Sequence, residues 1–366
     1  MTDLPFPRPR ENPLCLGHDR AFDLFERARH SGRLPHAWLL QGPRGIGKAT
    51  FAFRLARHML APSDQNPDDP QSAIFRQVAH LSHGDLHLIN RRPHPRTGRM
   101  QSHIVIETVR EVIDKLHETA SGRRGRVVLV DAADLFNTNA ANGFLKILEE
   151  PPPQTVVLLV CHRPGAVLPT IRSRCAQLNL RPLSLDGTVD VIGPWLPDRQ
   201  PDRIEALARL ADGSPGRALK LALTGFLEAY AGLLDAAAGT ADHDLPSQAI
   251  FDVLTEFYGR SDIHMTAELL GQTLHRVALL SGGADLGRPL VEHEEQRLAA
   301  ISAGSPLDHW TSLWNKLNGL ASRVDKLNND PRQELMLAAM MFADRPTHGS
   351  GSSAPSFLAA REPFPI

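Results

Sequence analysis

Gly42-Pro43-Arg44-Gly45-Ile46-Gly47-Lys48-Ala49 is the stretch on which the reading of this 366-residue chain turns. A phosphate-binding loop asks for glycine, four free positions, then Gly-Lys-Ser/Thr. Its backbone N–H groups close around phosphate oxygens and its lysine meets the terminal phosphates. Gly42, Gly47 and Lys48 meet the pattern, with Gly45 between them. The last position is Ala49, so the hydroxyl that would hold magnesium is missing. Thr50 comes one residue late, turned by about 100° on a helix, and is expected to face elsewhere. Trp38-Leu39-Leu40 reads as a short buried strand before the loop, and Phe51, Leu55 and Leu60 as a helix after it. Strand, glycine loop and helix are the setting that supports such a match.

Further along, Val127-Val128-Leu129-Val130-Asp131 is an apolar run ending in a carboxylate, as a buried parallel strand does. Phosphate-loop folds hold a magnesium ion at an Asp so placed. The next residue would be Glu in a hydrolysing protein, where it polarises the attacking water, and here it is Ala132. The absence of a general base there costs roughly 10²–10⁴-fold in rate. Gly42, Gly45, Gly47, Lys48, Thr50 and Asp131 are the candidate residues of a degenerate phosphate and magnesium site.

Composition bounds the alternatives. The length allows two or three domains. Hydrophobic residues make up 42%, enough for ordinary cores, and the net charge is −1. That balance excludes a protein held on nucleic acid by bulk charge alone, so any DNA contact is local or shared with partners. Cys15, Cys161 and Cys175 have no paired spacing, which points to reduced thiols and a cytoplasmic location. No signal peptide and no run of about eighteen apolar residues is visible, so no membrane association is expected.

Residues 1–13 read as a loose arm, followed by a short amphipathic helix carrying Phe22, Leu24, Phe25 and Ala28. Residues 61–71 read as a loop, and Leu86-His87-Leu88-Ile89 as a second strand. His80, His83, His87, His94 and His103 lack a second tight ligand pair, so no metal site is expected. Arg91, Arg92, Arg96 and Arg99 fall in a Pro/Gly-containing loop, either solvated or touching phosphates. Val109, Val112, Ile113 and Leu116 repeat at helical spacing. A helix over 142–150 is stopped by three prolines, and strands follow at 155–160 and 176–180. Short helices are expected to about residue 211, with another from Arg217 to Ala229. Ala237 to Pro246 reads as a linker. Beyond it the chain is helical, with Trp310 and Trp314 on one apolar stripe read as core. Asp330-Pro331 starts the last helix, and residues from about 346 are Gly, Ser and Pro.

Four stretches in order (GPRGIGKA, VVLVDAAD, NGFLKILEEPPP and PTIRSRC) make the chain resemble the clamp-loader branch of the AAA+ proteins, strongly over about residues 14–230. The resemblance implies an α/β fold: an AAA+ P-loop three-layer sandwich with a parallel sheet (14–181), a small helical lid (182–236) and an all-helical collar for oligomerisation (245–345), then a tail (346–366). In that family the arginine of Ser-Arg-Cys projects into the ATP site of the adjacent subunit, and here it is Arg174. An arginine acting in trans adds about 10³–10⁵ to the rate. Hydrolysing relatives also carry an arginine in a Gly-Ser-x-Arg stretch. The matching position in Gly213-Ser214-Pro215-Gly216-Arg217 is Gly216, with Arg217 one residue late. Three elements of the chain's own site are thus altered, at Ala49, Ala132 and Gly216, while Arg174 is intact. Many relatives carry a four-cysteine zinc module after the phosphate-loop helix, but no cysteine lies between Cys15 and Cys161, so zinc is not expected.

The resemblance implies a subunit that leaves its own site idle, completes a neighbour's, and helps place a sliding clamp on primed DNA within a DNA-directed DNA polymerase holoenzyme. Its partners would be the gamma/tau-type ATPase subunits and the delta subunit, with clamp and DNA met through the complex. The residues leave ATP binding without hydrolysis open. An active clamp-loader ATPase that draws on Thr50 or water is the first rival. A small-molecule phosphotransferase is a weaker one, since it would have no use for Ser-Arg-Cys.

Overall fold

The computed structural model describes residues 6–117, 125–239, 246–303, 305–317, 319–327 and 329–344. The expected tail at 346–366 and most of the expected linker at 237–246 lie outside them. The chain forms two compact units, Met1–Lys220 and Leu221–Ile366.

The first unit alternates helix and strand: α1 (Asp19–His30), β1 (Ala37–Gln41), α2 (Lys48–Leu60), α3 (Ala73–Ala79), β2 (Leu86–Asn90), α4 (Ile106–His117), β3 (Arg126–Asp131), α5 (Thr138–Glu149), β4 (Thr155–Cys161), α6 (Pro169–Arg172) and β5 (Ala176–Asn179). All neighbouring strands are parallel, in the order β2-β3-β4-β1-β5. Alternate residues of one strand serve opposite faces. Leu39 joins Val109, Val112, Phe144, Ile147 and Leu159 in the layer under α4 and α5. Trp38 and Leu40 join Phe25, Phe51, Leu55 and Leu129 in the layer under α1 and α2. The interior strands β3 and β4 need helices on both faces, which is why they read as unbroken Val/Leu runs. The expected three-layer α/β sandwich with a parallel sheet is this architecture.

Two local expectations are corrected here. Helix α3 was not foreseen: it has only seven residues, and its start signal is the side chain of Ser72, which accepts from the Phe75 N–H. The loop before it is pinned to α2 by Asp68, which receives hydrogen bonds from Arg54 and His58. Residues 6–13, read as loose, are tied down as well: the Arg10 guanidinium donates to the Ala79 carbonyl at 2.8 Å.

After the sheet come α7 (Leu185–Ile192), α8 (Pro201–Leu210) and α9 (Pro215–Thr224), and then α10 (Phe226–Ala238). The single helix expected from Arg217 to Ala229 is broken at Gly225, whose φ of 68° is left-handed. The second unit continues with α11 (Pro246–Arg260), α12 (Ile263–Ser281), α13 (Glu294–Ser302), α14 (Leu307–Leu317), α15 (Leu320–Leu327) and α16 (Pro331–Ala343). Helix α10, which the sequence reading groups with the lid, packs against α11, α12 and α13. A buried polar knot joins these elements. The Glu294 carboxylate accepts from the Tyr230 hydroxyl (2.6 Å), from Arg276 (2.8 Å) and from the Leu290 N–H (2.7 Å). Burial, reinforced by the Glu294 charge, pushes the Tyr230 phenol well above its ordinary value. Trp310 is fully buried, but Trp314 is 41% exposed, so only one of the two stripe tryptophans is core. The last helix starts as expected, with the Asp330 side chain accepting from the Arg332 N–H. Among the described residues, no single helix is long and apolar enough to cross a membrane.

Candidate functional site

The phosphate loop leaves the C-terminal end of β1, between β4 and β5, and hands over to α2 at Lys48. Ligands of parallel sheets sit at this end of the strands. The Lys48 side chain is buried among the loop's own carbonyls and donates to those of Gly42 (2.7 Å) and Pro43. Burial lowers its pKa to about 8, an effect that the nearby Cys161, Asp134 and Asp131 partly oppose. Asp131 ends β3 near Lys48, and burial raises its pKa against the pull of Arg91 and Lys48. The position after it is the buried methyl of Ala132, which offers no base.

A second segment clasps this loop. The Ser214 hydroxyl, just before α9, donates to the Arg44 carbonyl at 2.9 Å, and the Gly216 N–H donates to the Gly45 carbonyl at 2.9 Å. The approach is close enough to require glycine at 45 and leaves little room for a side chain at 216. A Cβ on Gly45, where φ is +84°, would stand 2.3 Å from the Ser214 hydroxyl oxygen, and one on Gly216 would stand 3.0 Å from the Gly45 carbonyl oxygen. Position 216 is therefore filled by backbone-to-backbone contact. The guanidinium of Arg217, the next residue, pairs with Asp212 at 3.1 Å.

A mostly apolar cavity of about 230 Å³ adjoins the loop. Its walls include Phe6 and Pro9 from the N-terminal segment, His18, Thr50, Trp195 and Leu219. Thr50 is expected to face away from the loop; it faces this cavity, while Asp131 does not line it. His18 is fixed by a 2.8 Å contact between its Nε2 and the Ile46 carbonyl.

His162 was not singled out from the sequence. It follows the buried strand β4, lines the same cavity, and its N–H donates to Asp134 at 2.9 Å. Burial, with the Lys48 charge adding to it, lowers its pKa to about 4, so the imidazole is neutral at pH 7. The available signal was its position one residue past the C-terminal end of a fully apolar strand.

Arg174 lies away from this loop, in the turn between α6 and β5. Its side chain is 39% exposed, pairs with Glu149 at 3.0 Å and donates to the Thr170 carbonyl at 3.1 Å. The neighbouring Cys175 is buried, and burial pushes its thiol up to about 12.

Residues 91–103 fold back on themselves: His94 N–H donates to the Arg99 carbonyl and Gln101 N–H to that of Arg92. The ring nitrogens of His83 and His94 accept local backbone N–H groups, and His103 contacts Ser102. Among the described residues, no three His, Cys, Asp or Glu side chains are grouped to hold a metal ion.

Comparison with known proteins bears on this arrangement. The family model described as "DNA polymerase III, delta subunit" matches residues 17–184. The delta-prime subunit of DNA polymerase III from Pseudomonas aeruginosa is 33% identical over 199 residues, which are 53% of this chain and 57% of that protein. Its counterpart in Escherichia coli K12 is 33% identical over 200 residues, or 55% and 58% of the two chains. The tau subunit of the same organism is 25% identical over 282 residues, or 75% and 42%. The chain thus spans less than two thirds of the length of the relatives it matches. Among solved structures, the RuvB Holliday junction branch migration motor of Thermotoga maritima aligns at 17% identity with a TM-score of 0.40, covering 89% of this chain and 94% of that one.

Over the matched region the chain is similar to clamp-loader subunits of DNA polymerase III. The relatives it matches at 33–36% identity are delta-prime subunits, each over part of its length.

Proposed function

We propose that the chain is a clamp-loader subunit that does not hydrolyse ATP itself and supplies Arg174 to the ATP site of a neighbouring ATPase subunit. The observation that carries this reading is a contrast between two places. The chain's own loop lacks a hydroxyl at Ala49 and a carboxylate at Ala132, and the backbone of Gly216 packs against Gly45 where relatives carry an arginine. Arg174, by comparison, is presented on an exposed turn. The alternation at Ala49 and Ala132 supports the same reading, because both the metal-holding hydroxyl and the water-polarising carboxylate are absent.

In this reading residues 14–181 are the AAA+ module, 182–236 the lid and 245–345 the collar. The partners are gamma/tau-type ATPase subunits and the delta subunit. The sliding clamp and primed DNA are met through the assembled loader, in the cytoplasm. Gly42, Gly45, Gly47, Lys48, Thr50 and Asp131 form a vestigial phosphate and magnesium site.

The test has two parts. The purified chain should show no ATP turnover above that of Lys48→Ala. In a loader reconstituted with the ATPase and delta subunits, Arg174→Ala should leave assembly intact and lower ATP turnover at the neighbouring site by about 10³-fold or more. Turnover by the chain alone that disappears in Lys48→Ala would instead establish an active motor. Thr50, at the wall of the cavity beside the loop, would then be the hydroxyl to examine.

A further inference from the structure

Two glutamates, Glu149 and Glu150, close α5. A helix C-terminus carries partial negative charge and favours cations, so carboxylates are disfavoured there. A local rule broken without gain to the helix marks a position kept for another purpose. Among the described residues, the partner of Glu149 beyond its own helix is the guanidinium of Arg174, 3.0 Å away. The second contact of that guanidinium is the Thr170 carbonyl, which also accepts the Ser173 hydroxyl. Arg174 is therefore held at two points, by a carboxylate from the end of α5 and a carbonyl from α6. The backbone beneath is anchored by the buried side chains of Ile171 and Cys175.

An exposed ion pair adds little to stability, since solvent screens it and two long side chains lose freedom in making it. What such a pair does supply is direction. A planar guanidinium fixed at two of its N–H groups keeps the others aimed along one line, and less freedom is lost when they meet a phosphate. We infer that Glu149 is a positioning residue for Arg174, holding the guanidinium in the orientation from which it reaches a nucleotide phosphate bound by the adjacent subunit. Half-exposed, Glu149 can let go when the more highly charged phosphate arrives. This inference rests on the trans-arginine reading proposed above.

The test is a double-mutant cycle in the reconstituted loader with primed DNA and sliding clamp. Glu149→Ala should leave assembly and nucleotide KM at the neighbouring site unchanged and lower kcat by about 10- to 100-fold, the scale of a misplaced group. Glu149→Gln, which keeps the length and one hydrogen bond but not the charge, should fall between Glu149→Ala and the native chain. Adding Glu149→Ala to Arg174→Ala should cost nothing further, because the first acts only through the second. If Arg174→Ala slows turnover while Glu149→Ala does not, or if the two losses multiply, the positioning role is wrong and the trans arginine stands. If Glu149→Ala accelerates turnover, Glu149 restrains Arg174 and the inference is overturned. If Arg174→Ala itself leaves turnover unchanged in an assembled loader, the underlying reading fails.

Discussion

Alanine at Gly45 probes the clasp on the phosphate loop, and Gly98 supplies a matched control. Both glycines have positive φ, +84° and +66°, so an added Cβ carries the same left-handed penalty of about 1–2 kcal/mol at each. They differ in surroundings. Nothing lies within 4 Å of a Cβ on Gly98, whereas one on Gly45 meets the Ser214 hydroxyl oxygen at 2.3 Å and the Arg217 nitrogen at 3.1 Å. Overpacking of this kind costs about 1–3 kcal/mol. If the serine swings away instead, its hydrogen bond to the Arg44 carbonyl is lost, about 0.5–1.5 kcal/mol. Gly45→Ala should thus destabilise the first unit by about 2–5 kcal/mol and Gly98→Ala by about 1–2 kcal/mol. Urea unfolding of the full chain, followed by tryptophan fluorescence, reads the difference. Adding Ser214→Ala to Gly45→Ala should recover at least about 1 kcal/mol relative to the sum of the single changes, since the nearest colliding atom is gone. Equal midpoints for Gly45→Ala and Gly98→Ala would refute the clasp, as would strict additivity in the double variant.

Two further outcomes follow from buried charges. The folded pKa of Lys48 is lowered to about 8 from 10.5, so between those values the unfolded chain holds the extra proton and stability rises with pH. Relative to Lys48→Met, the native chain should gain up to about 3 kcal/mol from pH 8 to pH 10.5, measured as paired urea midpoints; a flat difference would show that Lys48 is not desolvated. Glu294→Ala strands the buried Arg276 and leaves the Leu290 N–H and Tyr230 hydroxyl without their acceptor. It should destabilise the second unit by about 3–5 kcal/mol, read by chemical unfolding, and a loss under about 1 kcal/mol would show that water reaches the knot.

The strands were legible because burial on both faces admits only apolar side chains, as in Val127–Val130 and Val156–Val160. The loop was legible because Gly47, at φ +94°, and Lys48, whose amine donates to the Gly42 and Pro43 carbonyls, answer to the local backbone. Features that join distant parts of the chain were not. Nothing near Ser214 announces that its hydroxyl ends on Arg44, about 170 residues earlier, nor does the Pro-rich start announce that Arg10 reaches Ala79. His162 looked like any polar residue after a strand until the fold set it beside Lys48. Trp314 kept the helical spacing of a core residue but faces solvent, since an apolar stripe wider than its partner surface leaves some members uncovered. Gly225 interrupts a run of good helix formers by its backbone alone.

The placement of β1 within the sheet also bears on how the chain is made. Residues 37–41 pair with β4 and β5, so Ala37 meets Val157 about 120 positions later. At about 5–20 residues per second, the hydrophobic strand Ala37–Gln41 emerges from the ribosome roughly 6–24 s before its first partner. The β3–β4 pair, by contrast, closes over a short span, with Val127 meeting Val156, and so at a smaller loop-closure cost. The loop at residues 42–49 follows β1 directly, so it takes its place only once β4 and β5 have emerged to close the sheet around that strand. Through that interval Trp38, Leu39 and Leu40 lack the strand partners that bury them in the finished sheet.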